Sequence, residues 1–139
     1  MWLSDKVKLK PKQLAFIQKN IIDAAKLVGI KSIPEVVIIS SQEMSSSSLA
    51  AYNPANNIMF VIEESGAKAS LLSLQKGLAI ENNVLSTFVH ELYHKKDADW
   101  FKHKYGEINS SKDYDKYINT IRKKRRKRLI NSAKTIIIN

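Results

Sequence analysis

A chain of 139 residues with 44% apolar and 26% charged side chains is long enough to bury its own core and too apolar to be disordered. It has no cysteine, which excludes a disulfide framework and a thiolate metal site, so any zinc here must be held by His, Asp or Glu. The net charge of +10 falls to +3 without the seven consecutive basic residues Arg122, Lys123, Lys124, Arg125, Arg126, Lys127 and Arg128, and no window carries the roughly 18 apolar residues of a membrane span.

The N-terminal MWLSDKVKLKPK has no apolar leader-like run, which makes the cytoplasm the expected compartment. Leu14, Ile17, Ile21, Ala24 and Val28 then recur at helical spacing behind Pro11, and Gly29 stands where a helix would stop. Pro34 precedes EVVIIS (35–40), a β-branched run of strand length, followed by the polar loop SQEMSSSS. LAAYN (49–53) and NIMFVI (57–62) flank Pro54, Ala55 and Asn56 and predict a hairpin, so three strands are expected in one mixed or antiparallel sheet. A short helix is expected at 67–76, ended by Gly77. A longer one is expected from about Val84 to Tyr105, with Asn82 or Asn83 as N-cap and Gly106 as stop. A last helix over about 112–129 carries Tyr114, Ile118 and Ile121 and ends in the basic block, leaving NSAKTIIIN as a short strand or frayed end. These elements make one α+β domain over 1–139, with no internal repeat or linker.

The Val84–Tyr105 segment contains His90, Glu91 and His94 in the spelling HELYH. A chance HExxH arises on the order of once in a few hundred chains of this length, so context must decide. On a helix the two histidines lie about 40° apart on one face and one turn apart, where both imidazoles reach one ion. Glu91 is then beside a metal-activated water and can take its proton as it attacks a carbonyl. The competing reading is a surface helix whose histidines face solvent.

Three stretches, LAAYNPANNIMFV, STFVHELYHKKDADWFKHKYGEI and DYDKYINTIRKKRRKR, resemble the small zincin-like metallopeptidase domains encoded in phages and prophages of low-GC Gram-positive bacteria, often found among minor head or head-morphogenesis proteins. The resemblance covers about residues 49–128, and its strongest words are HELYH, Asp97-Ala98 and YGEI (105–108). Thr87, Phe88, Leu92 and Tyr93 fit the wider zincin pattern. Lys95 and Lys96 depart from that pattern, which prefers an uncharged and then an apolar residue, and family members usually carry Trp in place of Lys95 and run on into a further acidic helix. The resemblance implies a zincin-like fold, a Zn2+ cofactor on His90 and His94, Glu91 as general base, a peptide or protein substrate, phage head proteins as partners, and the bacterial cytoplasm or a virion as location.

Helical geometry sorts the candidates for a third ligand. His103 is half a revolution from His94, and Asp99 points sideways. Asp97, seven residues beyond His90, shares the histidine face and is expected at the site, as a ligand or as acceptor for an imidazole N–H. Its bland alternative is a surface ion pair with a lysine. Glu107, Asp113 and Asp115 are further candidates, while Trp100, Phe101, Tyr105 and Tyr93 read as core, with lining the site as the alternative for Tyr93. Arg122 to Arg128 is expected either to meet nucleic acid or an acidic protein surface, as in a non-enzymatic basic adaptor, or to be a solvated helix face.

Overall fold

The computed structural model describes residues 1–44, 48–66 and 79–138, with side chains of the last segment described from 84 to 127. The helix expected at 67–76 and the side chain of Arg128 lie outside the described residues. The protein is α+β with a four-stranded mixed sheet in the order β1-β2-β4-β3. The strands are β1 (Trp2–Leu3), β2 (Glu35–Ile39), β3 (Ala50–Asn53) and β4 (Ile58–Ile62), and the long helices are α1 (Pro11–Val28), α2 (Ala79–Tyr105) and α3 (Ser111–Ile138). By compactness the chain divides into two units, Met1–Lys96 and Asp97–Asn139, with α2 running from one into the other. No described helix is long and apolar enough to cross a membrane.

In the first unit, α1 starts with Pro11 at a position where a missing N–H costs nothing, and the Lys10 N–H is taken by Gln13 Oε1 at 2.9 Å. It ends because Gly29 adopts φ 79°, a left-handed conformation that costs other residues strain, and donates its N–H to Ala25 at 2.9 Å. β2 pairs in parallel with both β1 and β4, whereas β3 pairs antiparallel with β4. The sheet therefore has four strands rather than three, because Trp2 and Leu3 add a parallel edge too short for any sequence periodicity to reveal. The hairpin turn is held by side chains suited to turns: Asn53 Oδ1 accepts the Ala55 N–H at 2.9 Å, and Asn57 takes φ 57°.

The core of this unit joins Ile17, Ile21, Ala24 and Val28 of α1, Val36, Ile38, Met59 and Val61 of the sheet, and Val84, Phe88 and Leu92 of α2. The last three recur every four residues and so form one stripe of α2. Lys95 continues that stripe, which is why it is 4% exposed despite its charge. Helix α2 begins by Ala79, so Asn82 and Asn83 lie inside it instead of capping it. An interior Asn costs only a few tenths of a kcal/mol, too little to stop a helix whose next turns are anchored in a core.

In the second unit Ala98, Phe101, Ile108, Tyr117 and Ile121 are buried, and the Phe101 and Tyr117 rings meet edge to face at 5.4 Å. Gly106, at φ 98°, ends α2. Ser110 opens α3 by accepting the Asp113 N–H at 3.1 Å, while Asp113 accepts the Asn109 N–H at 3.1 Å. Helix α3 continues to Ile138, so the terminal segment expected as a strand or frayed end is helical. Lys, Arg and Ala favour helix enough to carry the chain past the basic block into TIII. Tyr105 and Tyr93, expected in the core, are 44% and 40% exposed; the Tyr105 ring instead stacks on Phe101 at 4.9 Å and receives the Lys116 ammonium at 4.5 Å.

Candidate metal centre

Burial of the Val84-Phe88-Leu92 stripe decides where the motif points. At about 100° per residue, Glu91 lies at the border of that stripe and the two histidines lie beyond it, turned out of the core. His90 is exposed, while Glu91 and His94 are half-buried.

The rings of His90 and His94 meet edge to face at 4.8 Å between centroids, with their Nε2 atoms 3.1 Å apart. Two nitrogens that each lie 2.0–2.1 Å from one tetrahedral zinc stand about 3.3 Å apart, close to the observed separation. One potential ligand atom from each of His90, Glu91 and His94 falls within 4.8 Å of the others, and among the described residues no further His, Asp or Glu joins this cluster. Two imidazoles at i and i+4 of one helix suit zinc, and the Glu91 carboxylate lies beside them.

Glu91 is held from the sheet. Its Oε2 accepts the backbone N–H of Tyr52, on β3, at 2.9 Å. The strand's pairing explains why this N–H is available. Ile62 donates to the Leu49 carbonyl at 3.0 Å, and Ala50 aligns with Val61, so the ladder alternation turns the N–H and C=O of Ala50 and Tyr52 away from β4. β3 ends the strand order among the described residues, so these groups lie on its outer side, where the Tyr52 N–H meets Glu91. Sequence reasoning missed Tyr52 as a site residue because it acts through its backbone; once the hairpin is drawn, its outward parity is the only signal.

Next to His90 and Glu91 lies a cleft of about 400 Å³, lined also by Ser48, Leu49, Ala50, Ser86 and Thr87. A larger hollow of about 460 Å³ is lined by Met1, Ile21, Ile33, Glu35 and their neighbours, without a histidine, so size does not mark the chemistry here.

The other candidates sit as follows. Asp97 is 3% exposed and belongs to the second unit, where Lys124 Nζ and an Arg125 guanidinium nitrogen approach its two oxygens at 3.4 and 3.5 Å. His103 is exposed, Glu107 lies 3.8 Å from Lys102, and Asp113 serves the start of α3. Of the two lysines after His94, Lys95 follows the core stripe, about 100° round the helix from His94, and Lys96 donates to the Val28 carbonyl at 3.1 Å. Lys96 therefore complements the C-terminal end of α1, where a cation is favoured.

The basic block divides in two. Lys124 and Arg125 turn inward to Asp97, and Lys124 also lies 4.0 Å from the Trp100 ring centroid. Arg122, Lys123, Arg126 and Lys127 are exposed. Compared with protein-family models, curated proteins and solved structures, the chain finds no match.

Proposed function

We propose that the chain is a zinc-dependent peptidase of the HExxH class, acting on an extended peptide presented along the outer side of β3, in the phage or prophage setting that the sequence resemblance implies. The observation that carries this reading is the pair of Nε2 atoms 3.1 Å apart, with the Glu91 carboxylate in the same cluster and bonded to the backbone of β3.

His90 and His94 would hold the ion through neutral Nε2 atoms. Zinc, when bound, acidifies water toward a pKa of about 7 and polarises a carbonyl. Every other part falls to the chain's own groups. Glu91 accepts the proton from the attacking water and can return it to the leaving amine. The outward N–H and C=O of Ala50, with the Tyr52 N–H that Glu91 accepts, offer a peptide the hydrogen bonds of an added strand, which fixes its backbone relative to the histidines. The cleft lined by Ser48, Leu49, Ser86 and Thr87 receives a side chain of that peptide. A substrate strand that engages the Tyr52 N–H takes it from Glu91, freeing that carboxylate oxygen at the moment it is needed as a base.

The test is metal analysis of purified protein. One zinc per chain is expected in the wild type and none in a His90→Ala, His94→Ala variant with unchanged helical signal. Stoichiometric zinc in that variant contradicts the site.

A further inference from the structure

We infer that the outer face of α3 is a binding site for the phosphate backbone of nucleic acid, separate from the metal centre and independent of the peptidase reading. The division of the basic block carries this. Lys124 and Arg125 flank the buried residues Tyr117 and Ile121 on the helix surface and engage Asp97, so they are committed to the unit's own structure. Arg122, Lys123, Arg126 and Lys127 project from the opposite side, and Lys112 and Lys116 fall on the same side in the preceding turns. At about 100° per residue these six cations occupy an arc of roughly 140°, and at about 1.5 Å per residue they extend over roughly 22 Å of helix.

None of Lys112, Arg122, Lys123, Arg126 and Lys127 makes an ion pair among the described residues, while Lys116 rests over the Tyr105 ring and attracts the Asp113 carboxylate. Asp115 is the one acidic residue on the arc. Six like charges with one anion among them repel one another, a cost that a ligand of matching charge relieves.

The chemistry of the face selects the ligand. An interfacial membrane helix needs an exposed apolar side, and a protein interface needs apolar or aromatic anchors; the arc holds only cations, Asp115 and Asn119. A linear row of cations gains affinity mainly by releasing counterions, which requires a polyelectrolyte. Two of the six are arginines, whose planar forks match phosphate oxygens in pairs. Without residues suited to reading base edges, binding is independent of sequence.

The experiment measures the affinity of the full chain for a mixed-sequence DNA duplex of 20 base pairs by fluorescence anisotropy, across a salt series. The wild type is expected to bind with log K falling against log salt at a slope of about −3 to −5. Changing Arg122, Lys123, Arg126 and Lys127 together to Gln should weaken binding by about 10²-fold or more and flatten the slope by about 3. Zinc content and helical signal should stay as in the wild type. Changing Lys12, Lys19, Lys26 and Lys31 to Gln removes the same net charge from exposed positions elsewhere and should alter affinity by less than about threefold. Equal losses in the two variants would mean that net charge alone acts, and would overturn the site. So would tighter binding to polyglutamate, which marks an acidic protein partner, or to phosphatidylserine vesicles, which marks a membrane.

Discussion

The carboxylate of Glu91 and the backbone N–H of Tyr52 are joined by a 2.9 Å hydrogen bond, which ties the central residue of the HExxH motif to the edge of the sheet. Open-edge N–H groups otherwise exchange freely with water. The Tyr52 amide should therefore be protected from hydrogen exchange in the wild type, lose that protection in Glu91→Ala, and keep most of it in Glu91→Gln, whose amide oxygen still accepts. Protection unchanged in Glu91→Ala would show that the bond does not form in solution.

Asp97 tests what the buried carboxylate is for. Replacing it by Asn removes the charge that Lys124 and Arg125 approach, in a place where it is 3% exposed. The two cations remain partly solvated, so the cost should be about 1–3 kcal/mol, read as lower stability in denaturant. Zinc stoichiometry should stay at one. A fall in zinc affinity of about 10- to 100-fold would instead assign Asp97 to supporting a ligating imidazole, and a larger fall would make it a ligand.

Tyr117 gives a pH signature. Burial first, and then the Asp97 carboxylate, push its phenol up from 10.0 to about 12. Between these values the unfolded chain has released a proton that the folded chain still holds. Stability from this group is thus fully present below about pH 10 and lost as the pH rises toward 12. The wild type should lose stability more steeply over that window than Tyr117→Phe, and identical profiles would contradict the shift.

How much of this was legible beforehand follows from which forces act locally. Helix α1, the hairpin and the stops at Gly29 and Gly106 are each determined by near neighbours, through periodicity, turn residues and a backbone angle that glycine tolerates. The spacing of His90 and His94 is equally local, so their juxtaposition could be read from the helix repeat alone. Strand β1 could not, since two residues carry no pattern and their order comes from β2. Nor could the split of RKKRRKR, because which cations turn inward depends on Asp97, 27 residues before Lys124. Lys95 looked out of place beside the motif until the core stripe claimed it.

Zinc should also stabilise the folded chain by mass action. At a hundredfold excess over its dissociation constant the gain is about 2.7 kcal/mol, seen as a rise in Tm that the His90→Ala, His94→Ala variant lacks. An equal rise in both proteins would place the binding elsewhere.

Glu91 is proposed to work as a base beside a metal held by His90 and His94. Glu91→Gln keeps the size of the side chain, its helix propensity and an acceptor for Tyr52, and removes only the basicity. The decisive measurement is hydrolysis of a broad peptide library by zinc-loaded wild type and by Glu91→Gln, with zinc content determined in the same samples. About one zinc is expected in each, with a rate at least ~10²-fold lower in the variant if Glu91 is the base. Equal hydrolysis by the two proteins, or none by the zinc-loaded wild type, would contradict it.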